Sequence, residues 1–279
     1  MHIYNGIKKR IIVAAVILLS TDAVFGQAFY QPEDTAIFNR WMRYAASVGD
    51  DVARLAAFFT DTPYAGGTLE GDSTERLRVN LREMDCFTFV ENVVALCLTR
   101  RDAHPSFARF CEILQGLRYR HGAPDGYLSR LHYTSEWLCA NRERGVLWLP
   151  QPASGEPFRP EVSFMSAHCD RYPALKANPA LCAAAREMEQ SVNRYALEYV
   201  PRENVGAERE IRHGDLIAIT TRIAGLDVSH VGFAVRRGET IHLLHASSEE
   251  KKVVTSGESL HDYLAARRNH SGIIVARIR

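Results

Sequence analysis

Cys86 is the residue best placed to do chemistry in this chain. It sits in Asp85-Cys86-Phe87-Thr88-Phe89-Val90-Glu91-Asn92-Val93-Val94, where Val90, Val93 and Val94 continue an apolar stripe at helical spacing. Asp85 is a good N-cap, because its carboxylate accepts the free N–H groups of a first turn. Cys86 then opens the helix, where the positive end of the helix dipole favours a thiolate, the nucleophilic form. The same N–H groups suit a developing oxyanion. A cysteine nucleophile needs a base, and two histidines offer themselves. His230 lies within Val228-Ser229-His230-Val231-Gly232-Phe233, and Arg237-Gly238 reads as the tight turn that follows. A two-residue turn there pairs Arg236 with Glu239 and, counting back, His230 with His245. Directly opposed Cβ atoms are about 5 Å apart on one face of a sheet, so the two imidazoles become neighbours by register, with His242 on the other face. His230 is then the candidate base, and His245 the residue that orients it.

Several elements must position these residues. Residues 33–60 read as two helices, from Trp41, Met42, Ala45 and Ala46 and then Val52, Leu55, Ala56 and Phe59. A turn at Thr62-Pro63-Tyr64-Ala65-Gly66-Gly67 ends them, and the alternation over 76–81 reads as a short strand leading into Asp85. Phe107, Phe110, Cys111 and Leu114 suggest a further helix. A polar-aromatic run follows and enters another helix near Ser135. Trp148 to Pro160 is Pro-rich and irregular, and a helix begins near Pro179. The last third is strand-rich, with strands at 216–219, 228–235, 241–246 and 272–278 and a short helix at 260–268. Helices first and strands later predict an α+β fold with an antiparallel sheet.

Length and composition bound the class. The 279 residues suit one large domain or two small ones, and the formal charge of +1 gives no electrostatic case for a nucleic-acid partner. Lys8-Lys9-Arg10 followed by the apolar Ile11 to Leu19 has the form of a signal peptide, with small residues at Val24-Phe25-Gly26. The expectation is a signal peptide over 1–26, a mature start near Gln27 or at Ala28-Phe29, and export to the periplasm or beyond. No stable membrane anchor would remain after cleavage. An exported chain can form disulfides. Cys86 and Cys97 are separated by roughly 16 Å of helical rise and cannot bridge. Cys111, Cys139, Cys169 and Cys182 allow up to two bridges of unspecified pairing. No Cys-x-x-Cys pair occurs, and His132, Cys139, His168 and Cys169 are too irregularly spaced to predict a metal site. They read instead as buried thiols and surface imidazoles.

Taken together, Asp85-Cys86, Gly214-Asp215-Leu216-Ile217, Ser229-His230-Val231-Gly232-Phe233 and Leu244-His245-Ala246-Ser247-Ser248 resemble the NlpC-type, papain-like cell-wall hydrolases. Pro63-Tyr64-Ala65-Gly66-Gly67 looks like their tyrosine-bearing loop. Phe87-Thr88 replaces the usual Ser-Gly after the cysteine, and the middle section is extra. Both departures are similar to the N-acetylmuramoyl-L-alanine amidase-like branch, as are Gly126-Tyr127, Ser129-Arg130-Leu131-His132-Tyr133, Trp137 and Phe164-Met165-Ser166. The resemblance implies a single papain-like domain over 27–279, with helices packed on a C-terminal sheet and an insertion at 101–205 covering the cleft. It implies a Cys86–His230–His245 triad, with Tyr64 near the oxyanion, that cuts the amide between muramic acid and L-alanine in peptidoglycan or muropeptide fragments. No metal or organic cofactor is expected. Arg120 and Arg130 with Tyr119, Tyr127 and Tyr133 become candidates for recognising sugar and peptide groups, and Ser229 joins them from beside the base. Asp85 is expected to cap and Glu91 to be a structural partner. The same triad would serve a γ-D-glutamyl–diamino acid endopeptidase. A non-catalytic wall-binding module and a zinc amidase are the readings from other classes.

Overall fold

The computed structural model describes residues 28–71 and 74–279 of the chain; the expected signal peptide lies outside them. Nine helices are found among the described residues: α1 (Pro32–Val48), α2 (Val52–Ala57), α3 (Cys86–Arg101), α4 (Phe107–Arg118), α5 (Thr134–Glu143), α6 (Phe164–Ala167), α7 (Pro173–Lys176), α8 (Pro179–Val192) and α9 (Leu260–Ala265). The strands are β1 (Leu147–Trp148), β2 (Glu156–Phe158), β3 (Leu197–Pro201), β4 (Leu216–Thr221), β5 (Val228–Arg237), β6 (Thr240–Ser247), β7 (Lys252–Thr255) and β8 (His270–Ile278). They form one antiparallel sheet in the order β2-β3-β8-β4-β5-β6-β7, with β1 paired to β8. The architecture is α+β, as expected. The strand expected over 76–81 does not form. Leu77, Val79 and Leu81 do alternate into the core, but the segment makes only an isolated bridge from Arg78 to Phe29. Strands β1, β2, β3 and β7 had no expectation behind them, and β2 forms within the stretch read as irregular.

Helix α3, which opens on Cys86, is the centre of the molecule. A half-buried helix carries one apolar stripe, whereas α3 is buried on nearly all sides, from Phe89 and Val90 through Val93, Val94, Leu96 and Cys97. One flank packs on β5 and β6 through Val231, Phe233 and Leu244, and the other meets α4 and α5. The polar Glu91 on that second flank is fully buried and takes Arg118 Nε at 2.8 Å and Trp137 Nε1 at 3.1 Å. The far face of the sheet carries Ile217, Ile219, Leu243 and Ile273 under Leu260 and Leu264 of α9. The insertion closes a small core of its own around Met165, Leu175 and Val192, tied by a Cys169–Cys182 disulfide. Cys86, Cys97, Cys111 and Cys139 are free.

The hairpin carrying both histidines turns one residue later than expected. Gly238-Glu239 makes the turn, with Gly238 at φ +57°, and Arg237 pairs with Thr240. The β5–β6 ladder ends at Phe233 opposite Leu244. Continued one step, that register sets Gly232, not His230, opposite His245. A Cβ on Gly232 would lie 3.1 Å from His245 Cβ and 2.6 Å from the Leu244 carbonyl oxygen, so the glycine makes room for the histidine. His230 is the diagonal neighbour on the same face. Sliding a turn of constant length by one residue moves the register by two, and a shift of two keeps every side chain on its face.

Candidate active site

Asp85 caps α3 through a reciprocal pair of bonds. The Thr88 N–H donates to Asp85 Oδ1 at 2.8 Å, and the Asp85 N–H donates to Thr88 Oγ1 at 3.0 Å. Cys86 is therefore the first helical residue, as its position in the sequence implies. The Val231 N–H lies beyond the end of the β5–β6 ladder and faces the sulfur, as do the N–H groups of Cys86 and Phe87. These donors favour a thiolate, but they are outweighed. Burial, and then the Asp85 charge, push the Cys86 thiol up to about 12. Burial and the Asp85 charge thus work against the thiolate that the helix terminus favours.

His230 Nε2 and His245 Nδ1 are 2.6 Å apart, with ring planes at 87°. Burial, then the neighbouring His245, His270 and Arg267, hold His230 down to about 3. Burial and Arg267 hold His245 down to about 4, against Glu258 and Glu249. Both imidazoles are neutral near pH 7, so one donates and the other accepts. If His230 Nδ1 is to accept a proton from a thiol, then Nε2 carries the hydrogen and donates it to His245 Nδ1. Thiol and imidazoles thus form a neutral set near pH 7.

Two tyrosines flank this set. The Tyr64 loop is stitched to the residues just before Cys86: the Met84 N–H donates to the Pro63 carbonyl at 3.1 Å and the Ala65 N–H to the Met84 carbonyl at 3.2 Å. Burial, then the charges that Cys86 and Asp85 can carry, raise the Tyr64 phenol. Tyr263 on α9 was not anticipated; a lone tyrosine in a short helix carries no signal of its own. Its ring packs on His245 and His230, and its phenol also feels the Cys86 charge. Ser229 Oγ is buried without a hydrogen-bond partner among the described residues.

Residues 54–273 match the AmiA-like family, described as N-acetylmuramoyl-L-alanine amidase-like. The chain belongs to this family. A solved N-acetylmuramoyl-L-alanine amidase from Bacteroides uniformis ATCC 8492 is 38% identical over 82% of this chain and 98% of its own, with a TM-score of 0.78. A Bacteroides fragilis protein provisionally called a xylanase is also 38% identical, covering 80% and 98% of the two chains at a TM-score of 0.75. A Legionella pneumophila protein shares the fold at 22% identity, with 88% and 94% covered and a TM-score of 0.64. No curated protein matches.

Within this AmiA-like chain the insertion residues do not form the expected recognition surface. Tyr119 is 1% exposed, and its hydroxyl donates to Glu75 and to the Arg76 carbonyl. Tyr133 is buried and donates to Glu189 Oε1 at 2.6 Å. Arg120 is engaged by both oxygens of Glu136, at 2.6 and 2.8 Å, and by the Leu128 carbonyl. Arg130 is buried between Glu70 at 2.9 Å and Glu75 at 3.2 Å. Tyr119, Tyr133 and Arg120 spend their polar groups inside the protein, and Arg130 is held between two carboxylates although its Nε makes no hydrogen bond to the described residues. Tyr127 is half-buried, with Arg130 over its ring at 4.6 Å, and both line a cavity of about 680 Å³ that neither Cys86 nor the histidines touch. Glu91, by contrast, is the structural partner that was expected.

Proposed function

We propose that this protein is a cysteine amidase with a papain-like arrangement, cutting the bond between the lactyl group of N-acetylmuramic acid and L-alanine. The observation that carries the reading is the 2.6 Å His230–His245 pair, which adjoins Val231, the residue whose N–H faces the sulfur of the capped Cys86. Cys86 Sγ attacks the lactyl carbonyl as its proton passes to His230 Nδ1. The first-turn N–H groups and the Tyr64 hydroxyl hold the oxyanion. His230 returns the proton to the departing L-alanine amine, and the C–N bond breaks to leave a muramoyl thioester. Water, losing a proton to His230, hydrolyses that thioester and restores the thiol. Every step runs through the protein's own side chains.

Glycosidase chemistry fits poorly. It needs two carboxylates about 5–9 Å apart flanking the bond. On the nucleophile helix, Asp85 is consumed as a cap and Glu91 as the partner of Arg118. Export supports a wall substrate. The basic and apolar N-terminal segment is one reason to infer it, and the Cys169–Cys182 bridge, which suits an oxidising compartment, is another. The mature chain, 27–279, would act as one domain on muropeptides or peptidoglycan.

Mass spectrometry of purified muropeptides treated with the protein tests the assignment. Release of intact stem peptides beginning with L-alanine is expected, unaffected by chelators and abolished by thiol alkylation or Cys86→Ala. Cleavage of sugar-free stem peptides after γ-D-glutamate would instead establish the endopeptidase. Unchanged binding to wall with no product from either bond would establish a binding module.

A further inference from the structure

Tyr263 is a third ring against the two imidazoles. It meets His245 edge-on, at 5.4 Å between centroids and 74°, and lies nearly parallel to His230 at 6.3 Å and 22°. His270 stacks near it at 5.9 Å, and the Arg267 guanidinium covers the ring 3.7 Å from its centroid. Arg267 is itself held, donating to the Tyr263 carbonyl at 3.2 Å and to Glu249 Oε2 at 2.8 Å. Tyr263 is 6% exposed, and its hydroxyl makes no hydrogen bond to the described residues, so the ring supplies its contacts.

We propose that the Tyr263 ring, backed by Arg267, is a positioning element for the His230–His245 pair. The bond to His245 restrains one nitrogen of His230 but leaves the imidazole free to swing about that contact. A flat wall nearly parallel to the ring removes the swing and so fixes the direction in which Nδ1 points. Misplacing a catalytic group by about 1 Å can cost about a hundredfold in rate. Arg267 has a second effect through its charge. It opposes protonation of both imidazoles, as His270 does for His230, while Glu249 and Glu258 act in the other direction on His245.

This inference rests on His230 being the base, and the test separates the two ideas. kcat, KM and the pH profile of kcat/KM would be measured on the muramoyl–L-alanine amide for Tyr263→Phe, Tyr263→Leu and Arg267→Met, with circular dichroism and thermal unfolding as folding controls. The expected results are a kcat within about twofold for Tyr263→Phe and at least about tenfold lower for Tyr263→Leu, with KM little changed. Arg267→Met should raise the pH of the acid limb, since losing the cation makes the imidazoles easier to protonate. Should Tyr263→Leu fail to fold, the limb shift in Arg267→Met decides. Full activity in a folded Tyr263→Leu overturns the proposal, as does an unmoved limb in Arg267→Met. A Phe variant as poor as the Leu variant also overturns it, by assigning the role to the hydroxyl. Activity surviving in Cys86→Ala would overturn the underlying reading of the site instead.

Discussion

At the scale of single residues, the site is a contest between burial and local charge. Three N–H groups favour a thiolate at Cys86, while burial and then the Asp85 carboxylate push its pKa up to about 12. Asp85→Asn separates the two roles of that residue. Asparagine caps a helix about as well as aspartate, so the midpoint of urea unfolding should change little, within a few tenths of a kcal/mol. Removing the charge should lower the thiol pKa, and iodoacetamide should alkylate Cys86 faster at neutral pH. Equal alkylation rates would show that Asp85 acts only as a cap. Histidines make the reverse statement. His132, His230, His245 and His270 are all held below the ordinary range by burial, His132 to about 3 and His270 to about 4. Their unfolded forms take up protons below about pH 6.5, whereas the folded forms do so only near pH 3–4. The unfolded state therefore binds more protons in that window, and stability should decline as pH falls from 6.5. Each residue contributes up to about 1.4 kcal/mol per pH unit. Urea denaturation between pH 7 and 4 checks this, and His132→Gln should flatten the slope.

At the scale of elements, the hairpin decides whether two distant histidines meet. Its turn slid by one residue from the expected place, yet the pair survived, because face is set by parity and parity was preserved. Gly232 is the residue that this register makes critical. Gly232→Ala would drive a Cβ against the Leu244 carbonyl and His245 Cβ, where backbone cannot yield cheaply. A loss of about 1–3 kcal/mol is expected, from over-packing. Activity should fall further than stability explains, because His245 moves with the strand. Thermal unfolding and kcat on the same preparation would show the two losses side by side.

At the scale of the whole molecule, the insertion is a buttress for α3, the helix that opens on Cys86. Arg118 at the end of α4 is 3% exposed and pairs with the fully buried Glu91 of α3, while Trp137 of α5 donates to the same carboxylate. Burial raises Glu91 and the Arg118 cation opposes it. Arg118→Met should cost about 3–5 kcal/mol in denaturant unfolding, because it leaves a buried carboxylate alone. Adding Glu91→Leu to it should recover much of that loss. If the double variant were no more stable than the single, the carboxylate would not be the cause. Likewise Asp227, buried at the head of β5, takes both the N–H and the hydroxyl of Ser135 at 2.7 and 2.6 Å, joining the start of α5 to the strand that carries His230.

Taken alone, the sequence determined what is local. The capped cysteine, the helix periodicities, the strand alternation and the shared face of His230 and His245 all follow from spacing within short windows. The antiparallel α+β plan follows from the order of those elements. Tertiary structure decided what depends on neighbours brought from far along the chain. Tyr119, Arg120, Arg130 and Tyr133 have the types of recognition residues, but partners such as Glu75, Glu136 and Glu189 turn them inward. His132 has the type of a surface imidazole, yet it is half-buried and bonded to the Tyr127 carbonyl at 2.8 Å. Tyr263 reaches the histidines only because α9 folds over the far face of the sheet. The protonation state of Cys86 was equally out of reach, since desolvation depends on the whole volume of protein around a group and a helix terminus reports only its own end.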